Sequence, residues 1–234
     1  IDQRVESEIF RVLPIGGTIY VLGGPNALDP SIDTTMTNAG FNVVRYGGAT
    51  RYDTAVIIAD QGLGNPTSIF EATGLDFADA LSGGAAAAKA HAAILLTNGT
   101  SQAPATAAYL AAHSGDTRTA LGGPAAAADP SATPLVGSDR FATSALVATT
   151  FFSQPKPTVV GVASGLVFAD ALSGGAMMGK LGGPMLLVNP SAPLPPSINT
   201  FLTNNKSTIT QAYIYGGPAA LGNDVQTAVQ TALT

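Results

Sequence analysis

The side chains with chemical potential in this sequence come in matched pairs. Arg51 and Arg140 each stand three residues ahead of a threonine, Thr54 and Thr143. Lys89 and Lys180 recur at the same distance behind a shared block, and Asp79 and Asp170 each lie three residues before a serine, Ser82 and Ser173. A guanidinium can hold phosphate or carboxylate through two parallel hydrogen bonds, whereas an ammonium acts as a point charge. Duplicated cations therefore suit a polymer that repeats an anionic group. The same cations could instead be spent internally, on bridges to Asp79 and Asp170, and the residue pattern leaves both readings open. An Asp and a Ser three residues apart share a helical face, but a hydrolase also needs a base. His91 and His113 have no counterparts in the other copy, so a repeated Ser-His-Asp site is excluded. With no cysteine there is no thiol nucleophile and no cysteine zinc site. No catalytic residue, metal site or cofactor is expected.

These residues are carried by an internal repeat. Phe77 to Ala85 (Phe-Ala-Asp-Ala-Leu-Ser-Gly-Gly-Ala) returns residue for residue as Phe168 to Ala176, an offset of 91. Arg51-Tyr52-Asp53-Thr54 returns as Arg140-Phe141-Ala142-Thr143, and Asn98 as Asn189. A third marker, Gly-Gly-Pro behind a strand-like run, occurs three times, at Gly23, Gly122 and Gly216. The phase of these markers assigns residues 1–44 to the back half of a first unit, 45–133 to a whole second unit and 134–234 to a third.

Runs rich in β-formers at Thr18–Leu22, Asn42–Tyr46, Ser68–Ala72 and Ile94–Thr97 alternate with helical-length stretches, many of them Ala-rich. That alternation predicts an α/β fold with parallel sheets and helices on both faces. Asp76 is placed to cap the helix that comes next, with Asp79 near its third position, where a carboxylate meets free amides. Val167 replaces Asp76 in the second copy. Each Gly-Gly-Pro resembles a phosphate-cradling turn only in outline, since it is neither GxGxxG nor GxxxxGK[ST]. A tight turn with Pro at the first helical position accounts for it.

Composition narrows the partners. Ten basic against fifteen acidic residues give a net charge of -5, which argues against charge-driven nucleic-acid binding. Apolar residues make up 46% and charged ones 11%, a globular balance. The longest apolar runs fall far short of the roughly 20 residues that cross a bilayer, so no membrane insertion is expected. The sequence begins at Ile1 without a leader-like segment and reads as a processed or trimmed piece.

Taken in order, Arg51-Tyr52-x-Thr54-Ala55, the twice-repeated Phe-Ala-Asp-Ala-Leu-Ser-Gly-Gly block, the strand and Asn at 94–98 and the closing Gly-Gly-Pro resemble the cell wall binding repeat 2 family of Gram-positive surface proteins. The resemblance implies tandem Toprim- or flavodoxin-like units arranged with pseudo-threefold symmetry, here with one incomplete unit. It also implies a secreted, non-catalytic module that anchors a protein to an anionic secondary wall polymer. The ligand-binding residues it points to are Arg51, Arg140, Lys89, Lys180, Asp79, Asp170, Ser82 and Ser173. The sequence departs from the family's pattern where Asp53 becomes Ala142 and Asp76 becomes Val167, and in carrying two and a half units. A surface-layer or adhesion protein that self-associates is one alternative, and a wall-polymer hydrolase is another.

Overall fold

The computed structural model describes all residues, 1–234, as two compact units, Ile1–Asn65 and Pro66–Thr234. In the first, α1 (Gln3–Val12) precedes β1 (Thr18–Leu22), α2 (Ser31–Asn38), β2 (Asn42–Tyr46) and α3 (Arg51–Ile57), which runs into a π-helical turn at Ile58–Gly62. β1 and β2 pair in parallel, Thr18 opposite Asn42 and Leu22 opposite Tyr46. Arg45 fastens this small sheet to the segment that connects its strands. Its guanidinium reaches both Asp33 oxygens at 2.7 Å and also donates to the carbonyls of Gly23 and Leu28.

The second unit holds two successive αβ arrays. β3 (Ser68–Thr73), α4 (Ala78–Ala90), β4 (Ala93–Thr97), α5 (Pro104–Ala112), β5 (Thr117–Leu121), α6 (Gly123–Ala128) and β6 (Thr133–Leu135) form the first. α7 (Arg140–Phe151), β7 (Val159–Ser164), α8 (Ala169–Leu181), β8 (Met185–Val188), α9 (Pro196–Asn205), β9 (Gln211–Tyr215) and α10 (Asn223–Leu233) form the second. The all-parallel sheets have strand orders β4-β3-β5-β6 and β8-β7-β9. The central strands β3 and β7 are buried along nearly their whole length, as a sheet covered on both faces requires. α5 and α9 each open on a proline, whose missing N–H costs nothing at a helix start.

The compact division at 65/66 differs from the repeat phase because pairing and motif order obey different rules. β2 completes the β1 sheet just as β6 completes the β5 sheet, so the strand that straddles each repeat boundary hydrogen-bonds back to the strand before it. One apolar core also runs across both arrays of the second unit. It joins Phe70, Leu81, Ala86 and Leu121 to Val147, Phe152, Ala171 and Met178.

Two local expectations are corrected. Asp76 is not the cap of α4: the cap position falls on Phe77, without a side-chain bond, and Asp79 is the second helical residue. Asp76 is instead held by the Phe77 amide and by Arg140. A helix opens only at the middle Gly-Gly-Pro, on Gly123 with Pro124 second; the other two triplets enter turns before α2 and α10. What the three copies share is the left-handed backbone of the first glycine, φ 142°, 82° and 117° at Gly23, Gly122 and Gly216.

Candidate functional site: the seam between the two arrays

α4 and α8 lie side by side in the same direction. Phe77 and Phe168 touch at the start, ring centroids 5.8 Å apart, and near the other end Gly179 lies so close to the Ala88 Cβ that a methyl would crowd it. The paired glycines in the repeated block divide the work. A Cβ on Gly83 would strike Leu121 of β5 and one on Gly174 would strike Tyr215 of β9, so the first glycine seats each helix on its own sheet. The small residues beyond it let the helices approach each other and leave a cleft of about 380 Å³, with Lys180 among its lining.

At the N-terminal end Arg140 is partnered inside the chain. Arg140, the first residue of α7, bonds Asp76 Oδ2 at 2.9 Å and the Gly165 carbonyl at 2.8 Å, with its guanidinium 5.7 Å from the Phe77 ring centroid. It thereby ties the second array to the first. The internal-bridge alternative is realised for this residue, with Asp76 rather than Asp79 or Asp170 as partner. Asp79 packs against Gly122 and Asp170 against Gly216, so closely that a side chain on either glycine would meet the carboxylate. In each array the repeated Asp thus packs beside the first glycine of the Gly-Gly-Pro turn. Burial, reinforced by nearby Asp76 and opposed by Arg140, pushes Asp79 up to about 6. This is the crevice at the carboxyl ends of the strands where doubly wound folds bind phosphates. Here a protein carboxylate occupies it, which disfavours an anion.

Ser82 is 2% exposed and donates to the Asp79 carbonyl inside α4. Ser173 makes the same bond to the Asp170 carbonyl but is exposed. Arg51 is the exposed first residue of α3, capped by Thr50 in a reciprocal pair with Asp53. In the other copy Asp139 caps α7 by itself, so Ala142 at the matching position costs nothing.

Lys89 and Lys180 emerge in the last turns of α4 and α8, exposed and without an ion-pair partner. Cations there complement the helix dipoles. Because the helices run parallel, both ammonium groups also stand at the same end of the seam.

Sequence reasoning missed a buried acid cluster. Glu71, fully buried in β3, accepts from Gln102 Nε2 at 2.5 Å and faces Asp129, which Arg118 bridges at 3.2 Å and Ser131 bonds twice. Burial raises Glu71 to about 7. Against its own desolvation, Asp129 is held near 2 by hydrogen bonds with Ser131, Glu71 and Arg118. The signal was present: Val162 stands at the matching place in β7.

Known proteins supply a family and a fold. The family model "Cell wall binding domain 2 (CWB2)" matches residues 45–130 and 135–226. Among solved structures the chain is similar to Cwp8 from Clostridium difficile, with TM-score 0.82 and 22% identity over 99% of this chain and 41% of that one. It is similar also to Cwp6 from the same organism, with TM-score 0.82 and 21% identity over 100% of this chain and 38% of that one. No curated relative matches it.

Proposed function

From the premise that this chain belongs to the cell wall binding domain 2 family, we propose that it anchors a surface protein by gripping an anionic secondary wall polymer at the Lys89/Lys180 end of the seam. The observation that carries the reading is a pair of repeat-matched, exposed cations with no internal partner, set at one end of two parallel helices. Two weak contacts to one polymer add as effective concentration, so neither needs to be strong alone. Arg140 and Asp76 join the two arrays, and Asp79 and Asp170 pack against the turn glycines. Ser173 and Arg51 are exposed and remain in the proposed contact set. No helix is long and apolar enough to cross a membrane.

Co-sedimentation with isolated Gram-positive walls tests this. The wild-type chain is expected to pellet, to be released by salt, and to stop pelleting once the polymer is extracted. Lys89→Glu with Lys180→Glu is expected to weaken pelleting at least about tenfold, the scale of lost charge-assisted contacts. Binding that survives both polymer extraction and the double substitution would overturn the reading.

A second reading, self-association of two copies, is favoured by the exposed Phe168 at the cap of α8 and Leu172 and Met177 within it. Sedimentation velocity across micromolar concentrations decides it: a dimer that Leu172→Asp dissolves supports it, and a monomer throughout removes it.

A further inference from the structure

A groove of about 330 Å³ lies far along the third repeat, between the C-terminal end of α7 with its adjoining loop and one face of α9. Buried Phe152 and Phe201 form its floor. Its rim carries Ser153, Gln154, Ser197, Thr200 and Asn204, whose side chains have no hydrogen-bond partner inside the chain. Lys156 also lines it, held in place by donation to the Asn204 carbonyl at 3.2 Å. No carboxylate lines the groove, although acidic residues outnumber basic ones in the chain.

The sister helix shows that these polar groups are not required by the fold. Counting from the opening prolines, Ser197, Thr200 and Asn204 of α9 fall where α5 has Ala105, Ala108 and Ala112. Residues at this spacing share one helical face. The third repeat therefore carries hydroxyl and amide groups where the second carries three alanines, on the face that lines a concavity. Neutral donors and acceptors arrayed over an apolar floor match the hydroxyls and ring carbons of a sugar, and a single fixed ammonium matches one acidic substituent.

We propose that this groove is a saccharide subsite for a sugar ring bearing one anionic group, with Lys156 holding the acid and Gln154, Thr200 and Asn204 bonding ring hydroxyls. The proposal rests on the wall-polymer reading and adds a contact specific to the third repeat.

The test is an NMR titration of the ¹⁵N-labelled chain, read at the side-chain amides of Gln154 and Asn204. The probes are methyl glucuronide, glucose 6-phosphate and neutral methyl glucoside. Either acidic sugar is expected to shift both amides, with the neutral glucoside about tenfold weaker, as loss of one charge-assisted bond implies. Lys156→Gln should erase that preference. Ser197→Ala/Thr200→Ala/Asn204→Ala copies the α5 pattern, so it should fold normally and abolish the shift at Gln154. Shifts that persist in the triple variant, or that leave the groove amides untouched in the wild type, would overturn the subsite. Wall co-sedimentation separates the two levels. A chain that pellets while its groove ignores all three sugars refutes only the subsite; a chain that does not pellet refutes the wall reading.

Discussion

α4 and α8 carry the same block of residues but experience opposite surroundings. Leu81 is 7% exposed and Leu172 62%; Ser82 is buried and Ser173 is not; Ala86 is fully buried where Met177 is 41% exposed. The cause is the neighbour that each helix does or does not have. α4 is covered by α7 and β8 of the next array and shares a core with them, whereas the corresponding face of α8 is exposed. Identical sequence therefore fixes what a helix is and which face meets its own sheet. Its burial depends on the element packed over it.

The largest expected effect tests that directly. Leu81→Ala should cost about 3 kcal/mol of unfolding free energy, a normal loss for a buried leucine, and Leu172→Ala less than about 0.5 kcal/mol. Equal midpoint shifts in urea for the two variants would break the contrast. A pH series sharpens it. Because the folded chain holds Asp79 at about 6 against an ordinary value of 3.8, the native state binds the extra proton between those limits, and stability falls as pH rises through them. Asp79→Asn should remove that slope and leave the variant more stable than wild type by about 3 kcal/mol at pH 8. An unchanged difference between pH 4 and pH 8 would contradict a desolvated carboxylate at the turn. The smallest effect concerns the staple between arrays. Arg140 and Asp76 are partly exposed, so a double-mutant cycle of Arg140→Ala with Asp76→Ala should return a coupling of no more than about 1 kcal/mol.

The alternation of strands and helices was legible where strands are β-rich runs, and Thr18–Leu22 and Asn42–Tyr46 emerged at the limits read from sequence. The family was legible from ordered motifs. The roles of the repeated residues were less so. Asp79 and Asp170 pack beside a glycine more than forty residues downstream, a contact that no local spacing encodes. Arg140 finds its partner in Asp76, a position that its own repeat lacks, so comparing copies could not reveal the pair. Ser82 and Ser173 are indistinguishable by sequence and separated only by packing. The α9 groove was readable in principle as alanine exchanged for polar residues, but only once the two helices were aligned.

The core that joins Leu81 and Ala86 to Val147 and Phe152 has a practical corollary. Excising 134–234 as an autonomous module would strip α7 of its inner lining and expose it as a sticky surface. The duplicated stretch of sequence and the cooperative block of protein do not share the same ends, and a shortened version of this chain is better cut ahead of β3 than between the copies.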